Sequence, residues 1–361
     1  MGKGKERFYE LVKQGREGAN KGLSVGLPKM EMYIDGLLPG TSYLIGAQSG
    51  VGKSTFALYT FVYKPLMDYL EGFNEVDRDP TWVMFNLEMT QDQIYAKLVS
   101  MYIFEKYNEQ LTFKEIFSRG KDVTISDEHY DLLQECGDFL DILDERMIFY
   151  DDSLNFDSYK QRTHEVLCKY GEFDLDGNYT PKDKNKLIVF IIDHMSLING
   201  RDKKAEMDAI SDESVQLRNK TNCSHVHIMQ FNRGANNPER LKQALQEPDS
   251  SDFKDSGTMY EASQIVLALH SPHKFKLTRY REYDISKLQQ NFISCILLKT
   301  RFGTSDIACG LGFYGDCSTY KELPLAKEIF DYDRYKDPYW TLEDTPQEET
   351  RQDAPRMTIT L

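Results

Sequence analysis

Between Gly46 and Thr55 the chain reads Gly-Ala-Gln-Ser-Gly-Val-Gly-Lys-Ser-Thr, and this stretch limits the possible folds more than any other. Ahead of it, Thr41-Ser-Tyr-Leu-Ile45 is short, apolar and partly β-branched and follows the turn pair Pro39-Gly40, which predicts a buried strand. Behind it, Phe56 to Val62 holds neither glycine nor proline and predicts a helix. Strand, glycine turn and helix N-terminus in that order aim several backbone N–H groups and a positive dipole end at one anion. Gly50 and Gly52 allow the tight turn, Lys53 brings a full charge to the β- and γ-phosphates of a nucleotide such as ATP, and Ser54, followed by Thr55, offers a hydroxyl to Mg2+. Ala47 takes the first position of the strict Gly-x4-Gly-Lys-Ser/Thr pattern, so the match is to the looser form of that motif.

The rest of the chain alternates between strand and helix signals. Pro80 to Leu87, Met147 to Tyr150, Lys186 to Ile192, Val226 to Met229, Gln264 to Leu269 and Asn291 to Leu298 read as strands. The run Lys186-Leu-Ile-Val-Phe-Ile-Ile192 is apolar throughout, and a sheet covered on both faces accommodates such a run best. Glu88 to Val99, much of 101–147, Phe156 to Tyr170 and Ala205 to Thr221 read as helices. The fold class is therefore α/β, a mostly parallel twisted sheet with helices on both faces, and ligands of such sheets sit beyond the C-terminal strand ends.

Those ends carry the chemistry. Asp193 closes the strongest strand and suits a magnesium ligand working with Ser54, although an aspartate there also suits a helix cap. Glu88 suits a base that deprotonates an attacking water, or a partner of a helix N-terminus. Gln230 suits a hydrogen-bond partner of a γ-phosphate, or a solvated strand end. His225 and His227 share a strand face at metal-ligand spacing, but no third ligand is evident, so they read as core or edge histidines.

Composition excludes little. A net charge of −14 argues against a protein that coats nucleic acid with its whole surface, yet leaves room for a local basic channel. No apolar run reaches the length of a membrane span, and Met1 to Phe8 has no hydrophobic stretch after its basic start, so a cytoplasmic protein without a membrane partner is expected. Six scattered cysteines without a Cys-x-x-Cys pair read as reduced thiols.

Taken together, Gly36-Leu-Leu-Pro-Gly40 with Ala47 to Thr55, Phe85-Asn-Leu-Glu88-Met89, Ile192-Asp193-His194, Gln230-Phe-Asn-Arg233, Ser251 to Gly257 and Lys299-Thr-Arg301-Phe-Gly303 resemble, in order and spacing, the motif set of DnaB-type replicative helicases. The resemblance covers about residues 20–315. It implies a RecA-like ATPase domain that hydrolyses ATP with Mg2+, moves along single-stranded DNA as a ring-shaped homo-oligomer, a hexamer, and unwinds duplex in replication. It makes Glu88 the catalytic base and places Lys299 and Arg301 on the neighbouring subunit's ATP. It also makes Lys254, Asp255 and Gly257, with Arg240 and Lys242 ahead of them, contacts to the DNA backbone. Lys254 stands where the family has arginine, and His194 where it has an aromatic residue.

The implied organisation is an N-terminal arm or linker helix over 1–21, an ATPase domain over 22–320 with insertions at 171–186 and 271–290, and an acidic tail over 321–361. No counterpart of the family's N-terminal primase-binding domain is recognised, which would suit a phage-encoded member; a primase or a helicase loader is the expected protein partner. The alternative is a RecA-like recombinase or a DNA-binding regulatory ATPase that does not unwind duplex, and a third is a nucleotide-gated scaffold.

Overall fold

The computed structural model describes residues 3–16, 18, 21–72, 78–232 and 247–341. Helix α1 (Lys3–Arg16) precedes α2 (Pro28–Ile34) and the first strand, β1 (Ser42–Ala47). Helix α3 (Lys53–Leu58) leaves the glycine turn and runs through a π turn over Tyr59–Tyr63 into α4 (Lys64–Glu71). The π turn has a cause in the sequence. Pro65 has no N–H to give the carbonyl of Phe61, and that carbonyl instead accepts from Trp82 Nε1 at 2.7 Å, so the helix continues past the proline without an orphaned group.

The chain then alternates as expected. Strand β2 (Asp79–Asn86) is followed by α5 (Gln91–Tyr107), α6 (Phe113–Ile116), α7 (Asp127–Glu135), α8 (Gly137–Arg146) and β3 (Met147–Tyr150). After α9 (Phe156–Tyr170) come β4 (Gly171–Phe173), β5 (Tyr179–Pro181), β6 (Lys186–Asp193), α10 (Lys203–Thr221), β7 (Ser224–Gln230) and β8 (Ile265–His270). Two-residue strands β9 (Arg279–Tyr280) and β10 (Tyr283–Asp284) precede β11 (Phe292–Thr300), β12 (Ile307–Tyr314) and β13 (Thr319–Glu322). The main sheet has nine strands in the order β13-β12-β11-β8-β1-β7-β6-β2-β3, parallel from β8 to β3 and antiparallel beyond β8. The expected fold class is the observed one.

Every strand flanking β1 is covered on both faces, and the side chains of one strand alternate between two cores. Val189 and Ile191 of β6 join Phe56, Leu98 and Met84 on one face, while Ile188, Phe190 and Ile192 join Val166, Leu167 and Ile210 on the other. Segment 171–186 forms a small antiparallel hairpin, β4 with β5, whose Phe173 and Tyr179 rest against the second core. Segment 271–290 holds the hairpin β9–β10.

The chain stays packed beyond Gly310 and past residue 320, where the sequence suggests a tail. Strands β12 and β13 extend the sheet there, and Leu323, Ile329, Tyr335 and Trp340 bury against Phe292 and Tyr314. Gly310 and Gly312 are not chain breakers. A side chain on Gly310 would run into the ring of Tyr283, and one on Gly312 into Tyr314, so small residues let these rings lie across the strand. Of the expected tail, 321–341 is thus packed, and 342–361 lie outside the described residues.

His225 and His227 are core residues. Tyr159 Oη lies 3.2 Å from His225 Nδ1 and Ser214 Oγ lies 3.4 Å from His227 Nε2. Burial holds His225 well below the usual histidine range and lowers His227 to about 4. The unfolded chain therefore binds more protons than the fold between pH 4 and 6.5, so stability contributed by these rings is present above pH 6.5 and is lost as the pH falls. Thermal melts of His227→Gln are expected to lose less stability than wild type between pH 7 and 5; an unchanged pH slope would show that His227 does not report this burial.

Candidate active site

The site forms where β1, β7, β6 and β2 end side by side. Ala47 of β1 is in register with Gln230 of β7, and Asn86 of β2 with Asp193 of β6, so the turn after β1, Glu88 and Asp193 meet at one edge of the sheet. Gly52 is the N-cap of α3 with φ of 92°, a left-handed conformation that favours glycine. From the opposite side, Tyr320 of β13 donates its hydroxyl to Gly52 O at 3.0 Å, and Lys274 Nζ donates to Ser49 O at 2.7 Å. The turn is therefore held in shape by side chains the sequence reading did not single out.

Lys53 and Asp193 are each only 7% exposed, which charged residues tolerate when they face one another or a ligand. Glu88 is half exposed, and its Oε2 stands 3.7 Å from Lys53 Nζ and 3.6 Å from His194 Nε2. Burial pushes the Asp193 carboxyl up to about 6, against the lowering effect of its hydrogen bond with Ser54 and of the Lys53 charge. Burial and Lys53 lower His194, so its ring faces Glu88 neutral at pH 7. Lys97 of α5, absent from the sequence reading, donates to Thr55 Oγ1 at 3.0 Å. Gln230 ends β7 exposed, and the ring pair Phe231–Phe253, with centroids 5.2 Å apart, packs on Gly46 where any side chain would collide with both rings.

Asp193 Oδ1 finds no hydrogen-bond partner among the described residues. A free carboxylate oxygen beside the Ser54 hydroxyl, under a helix N-terminus, is an oxygen donor set that fits Mg2+, with the remaining coordination left to phosphate and water. No group of three or more His, Cys, Asp or Glu side chains able to hold a metal occurs among the described residues.

Lys299 and Arg301 lie elsewhere. Thr300 pairs with Ile265 at the start of β8, and Tyr43 at the start of β1 pairs with the same residue, whereas the glycine turn follows Ala47 opposite Leu269. Four residues of strand, about 13 Å, separate the two levels before the turn itself is counted. A register shift between Leu297 and Lys299 re-aims the end of β11, so that Lys299 Nζ donates to Tyr260 O at 2.7 Å and Glu261 O at 2.8 Å, and Arg301 to Glu261 O at 3.2 Å. Lys299 and Thr300 still belong to β11, and Arg301 follows its last residue.

Segment Ser250–Ser256 is a 3-10 turn whose Phe253 is buried, and Gly257 opens the short helix Gly257–Ala262 with ordinary helical φ and open space at its Cα. Arg240 and Lys242 lie outside the described residues, as do the side chains of Lys254 and Asp255.

A family model for the DnaB-like helicase C terminal domain matches residues 22–322. The chain belongs to that family. Replicative DNA helicase DnaB of Helicobacter pylori strain J99 is 22% identical over 287 residues, 78% of this chain and 50% of the relative. DnaB of Leifsonia xyli is 22% identical over 259 residues, 71% of this chain and 48% of the relative. The chain thus spans about half the length of these curated relatives. Among solved structures, the ATPase domain of G40P superposes with a TM-score of 0.66 at 16% identity, over 90% of this chain and 100% of that one. A DnaB-like replicative helicase, solved together with its interactions with primase, gives a TM-score of 0.63 at 16% identity, over 88% of this chain and 66% of that one. These likenesses establish the RecA-like ATPase fold. No helix among the described residues is long and apolar enough to cross a membrane.

The raised carboxyl of Asp193 gives a signed expectation for the metal-free protein. Its contribution to stability is greatest below pH 3.8 and is lost as the pH rises through about 6. With chelator present, Asp193→Asn should melt higher than wild type at pH 7, with the gap closing toward pH 4; a variant that melts lower at pH 7 would contradict a carboxylate whose burial outweighs its Ser54 and Lys53 partners.

Proposed function

We propose that this DnaB-like helicase domain is an ATP-driven DNA helicase whose active site is shared between two copies of the chain. The observation that carries the reading is the separation within one chain of Lys53, Glu88 and Asp193 at one sheet edge from Lys299 and Arg301 at the other. A cation that cannot reach its own phosphate site serves a neighbour's when copies stack head to tail, and a closed head-to-tail arrangement is a ring. A hexamer on single-stranded DNA is the form the family resemblance favours.

In this reading the backbone of Gly50 and Gly52 and the first turn of α3 bind the phosphates of ATP, and Lys53 neutralises the β- and γ-oxygens. Ser54 and Asp193 hold Mg2+, which when bound draws charge from the phosphate oxygens. Glu88, facing outward beside Lys53, accepts the proton of the attacking water, and neutral His194 lies beside its carboxylate without adding charge. Gln230 senses the γ-phosphate, and the Phe231–Phe253 contact over Gly46 links that end of β7 to the 250–257 segment. Lys254, Asp255 and Gly257, with Arg240 and Lys242, track the DNA backbone without reading sequence. The neighbour's Lys299 and Arg301 spread positive charge over the transferring phosphoryl group.

Residues 22–320 act as the ATPase unit, with 171–186 and 271–290 as insertions. Helix α1 exposes Phe8, Tyr9 and Val12, which supports its service as an arm on the next subunit. A primase or a loader is the proposed protein partner.

Glu88→Gln should keep nucleotide binding while lowering kcat by a hundredfold or more, roughly the range of a lost general base, and Lys53→Ala should lose both. Each is read as DNA-stimulated phosphate release. A forked-duplex displacement assay separates the helicase from a strand-pairing recombinase, since robust ATPase activity without displacement would overturn the helicase reading.

A further inference from the structure

Asn86 is 2% exposed at the end of β2, and neither its Oδ1 nor its Nδ2 finds a hydrogen-bond partner among the described residues. A buried amide in that condition is rare, and native proteins fill such a place with water or an ion. Its position says which. Asn86 pairs in register with Asp193, and residues paired across parallel strands point to the same side of the sheet. Trp82 and Met84 on β2 and Val189 and Ile191 on β6 all join the core that α3 and α5 cover, so Asn86 and Asp193 continue the same face into the space beneath the phosphate helix. On that face Asp193 Oδ1 likewise has no hydrogen-bond partner among the described residues.

Lys97 approaches from α5. Its ammonium donates to Thr55 Oγ1 at 3.0 Å and has further N–H groups to offer. Its charge also favours the ionised form of Asp193, while burial lowers its own pKa. Asp193 is thus linked to Ser54 by a hydrogen bond, to Asn86 by strand register and to Lys97 by charge, and Lys97 ties the helix that follows Glu88 to Thr55 in the first turn of α3.

We propose that Asn86 fixes a water of the magnesium hydration shell beside Asp193, and that Lys97 fixes Thr55 and with it the phosphate helix, so that both are positioning residues for the metal-bound nucleotide. This rests on the nucleotide reading of the site and deepens it. Mg2+ keeps most of its water when it binds, and groups that orient those waters govern its affinity. Packing alone gives no reason for an amide here, because an apolar side chain of similar size would leave nothing unpartnered.

The experiment uses the full chain and a fluorescent ADP analogue, titrated first without Mg2+ and then with Mg2+ at fixed analogue. Asn86→Leu should bind the metal-free analogue as wild type does, raise the Mg2+ half-saturation by about tenfold or more, and leave the melting temperature of the metal-free protein equal or higher. Lys97→Met should raise the Mg2+ requirement and lower kcat more than it raises KM, with Lys97→Arg restoring most of both. Wild-type Mg2+ half-saturation in Asn86→Leu overturns the role of Asn86, and so does a lower melting temperature with weakened metal-free binding, which would mark a structural residue. Equal defects in Lys97→Met and Lys97→Arg overturn the role of Lys97. If the wild-type chain does not bind the analogue at all, the nucleotide reading itself fails, and the inference with it.

Discussion

A nearly buried lysine, Lys53, faces a nearly buried aspartate, Asp193, and a half-exposed glutamate, Glu88, across the ends of three strands. This charge cluster is what the rest of the structure serves. Removing such charges from water is costly unless partners replace it, and here replacement is incomplete, since one oxygen of Asp193 and both polar atoms of Asn86 have no partner among the described residues. A fold that keeps such groups holds strain that a bound polyanion and its cation would relieve. The flanking sheet makes that possible. Its apolar strands on two cores fix the strand ends, and Tyr320 and Lys274 brace the turn above them.

The same sheet separates the second set of cations. Lys299 and Arg301 sit at the start of the parallel strands, aimed by a bulge and held by the carbonyls that end the helix Gly257–Ala262. Those carbonyls are the negative end of a short helix and suit a cation at rest. The Lys299 ammonium is held there by two carbonyls and the face of the Tyr260 ring, with no carboxylate hydrogen-bonded to it among the described residues, and in the shared-site reading it exchanges them for a phosphate of another chain. The geometry of one copy thus favours a site completed by two.

Much of this was legible in the sequence because it follows from local rules. The turn from Gly46 to Thr55, the apolar run of β6 and the acids at Glu88 and Asp193 each announce a strand end with chemistry on it. The exact match of β3 and α9 to their expected ranges has the same origin, since period and flanking residues agree there. What was not legible depends on contacts distant in sequence. Tyr320 and Lys274 reach the turn from more than two hundred residues away, and nothing in their local sequence marks them. Lys97 looks like any polar residue of a helix until α5 packs against α3. Gly310 and Gly312 look like breakers because the rings that need their space, Tyr283 and Tyr314, cannot be seen beside them in the sequence. His225 and His227 read as core or edge residues, and the structure buries both, with Tyr159 and Ser214 against their rings.

The central claim is that each site takes its phosphate-binding residues from one copy of the chain and its arginine from another. Mixing two inactive variants, Lys53→Ala and Arg301→Ala, tests it most directly. In a mixed assembly some interfaces pair an intact Lys53 with an intact Arg301 from the neighbouring copy, so ATP hydrolysis is expected to reappear on mixing, although each variant alone is inactive. If Arg301→Ala hydrolyses ATP normally by itself, or if no mixture of the two ever recovers activity while the chains demonstrably co-assemble, the shared site is wrong.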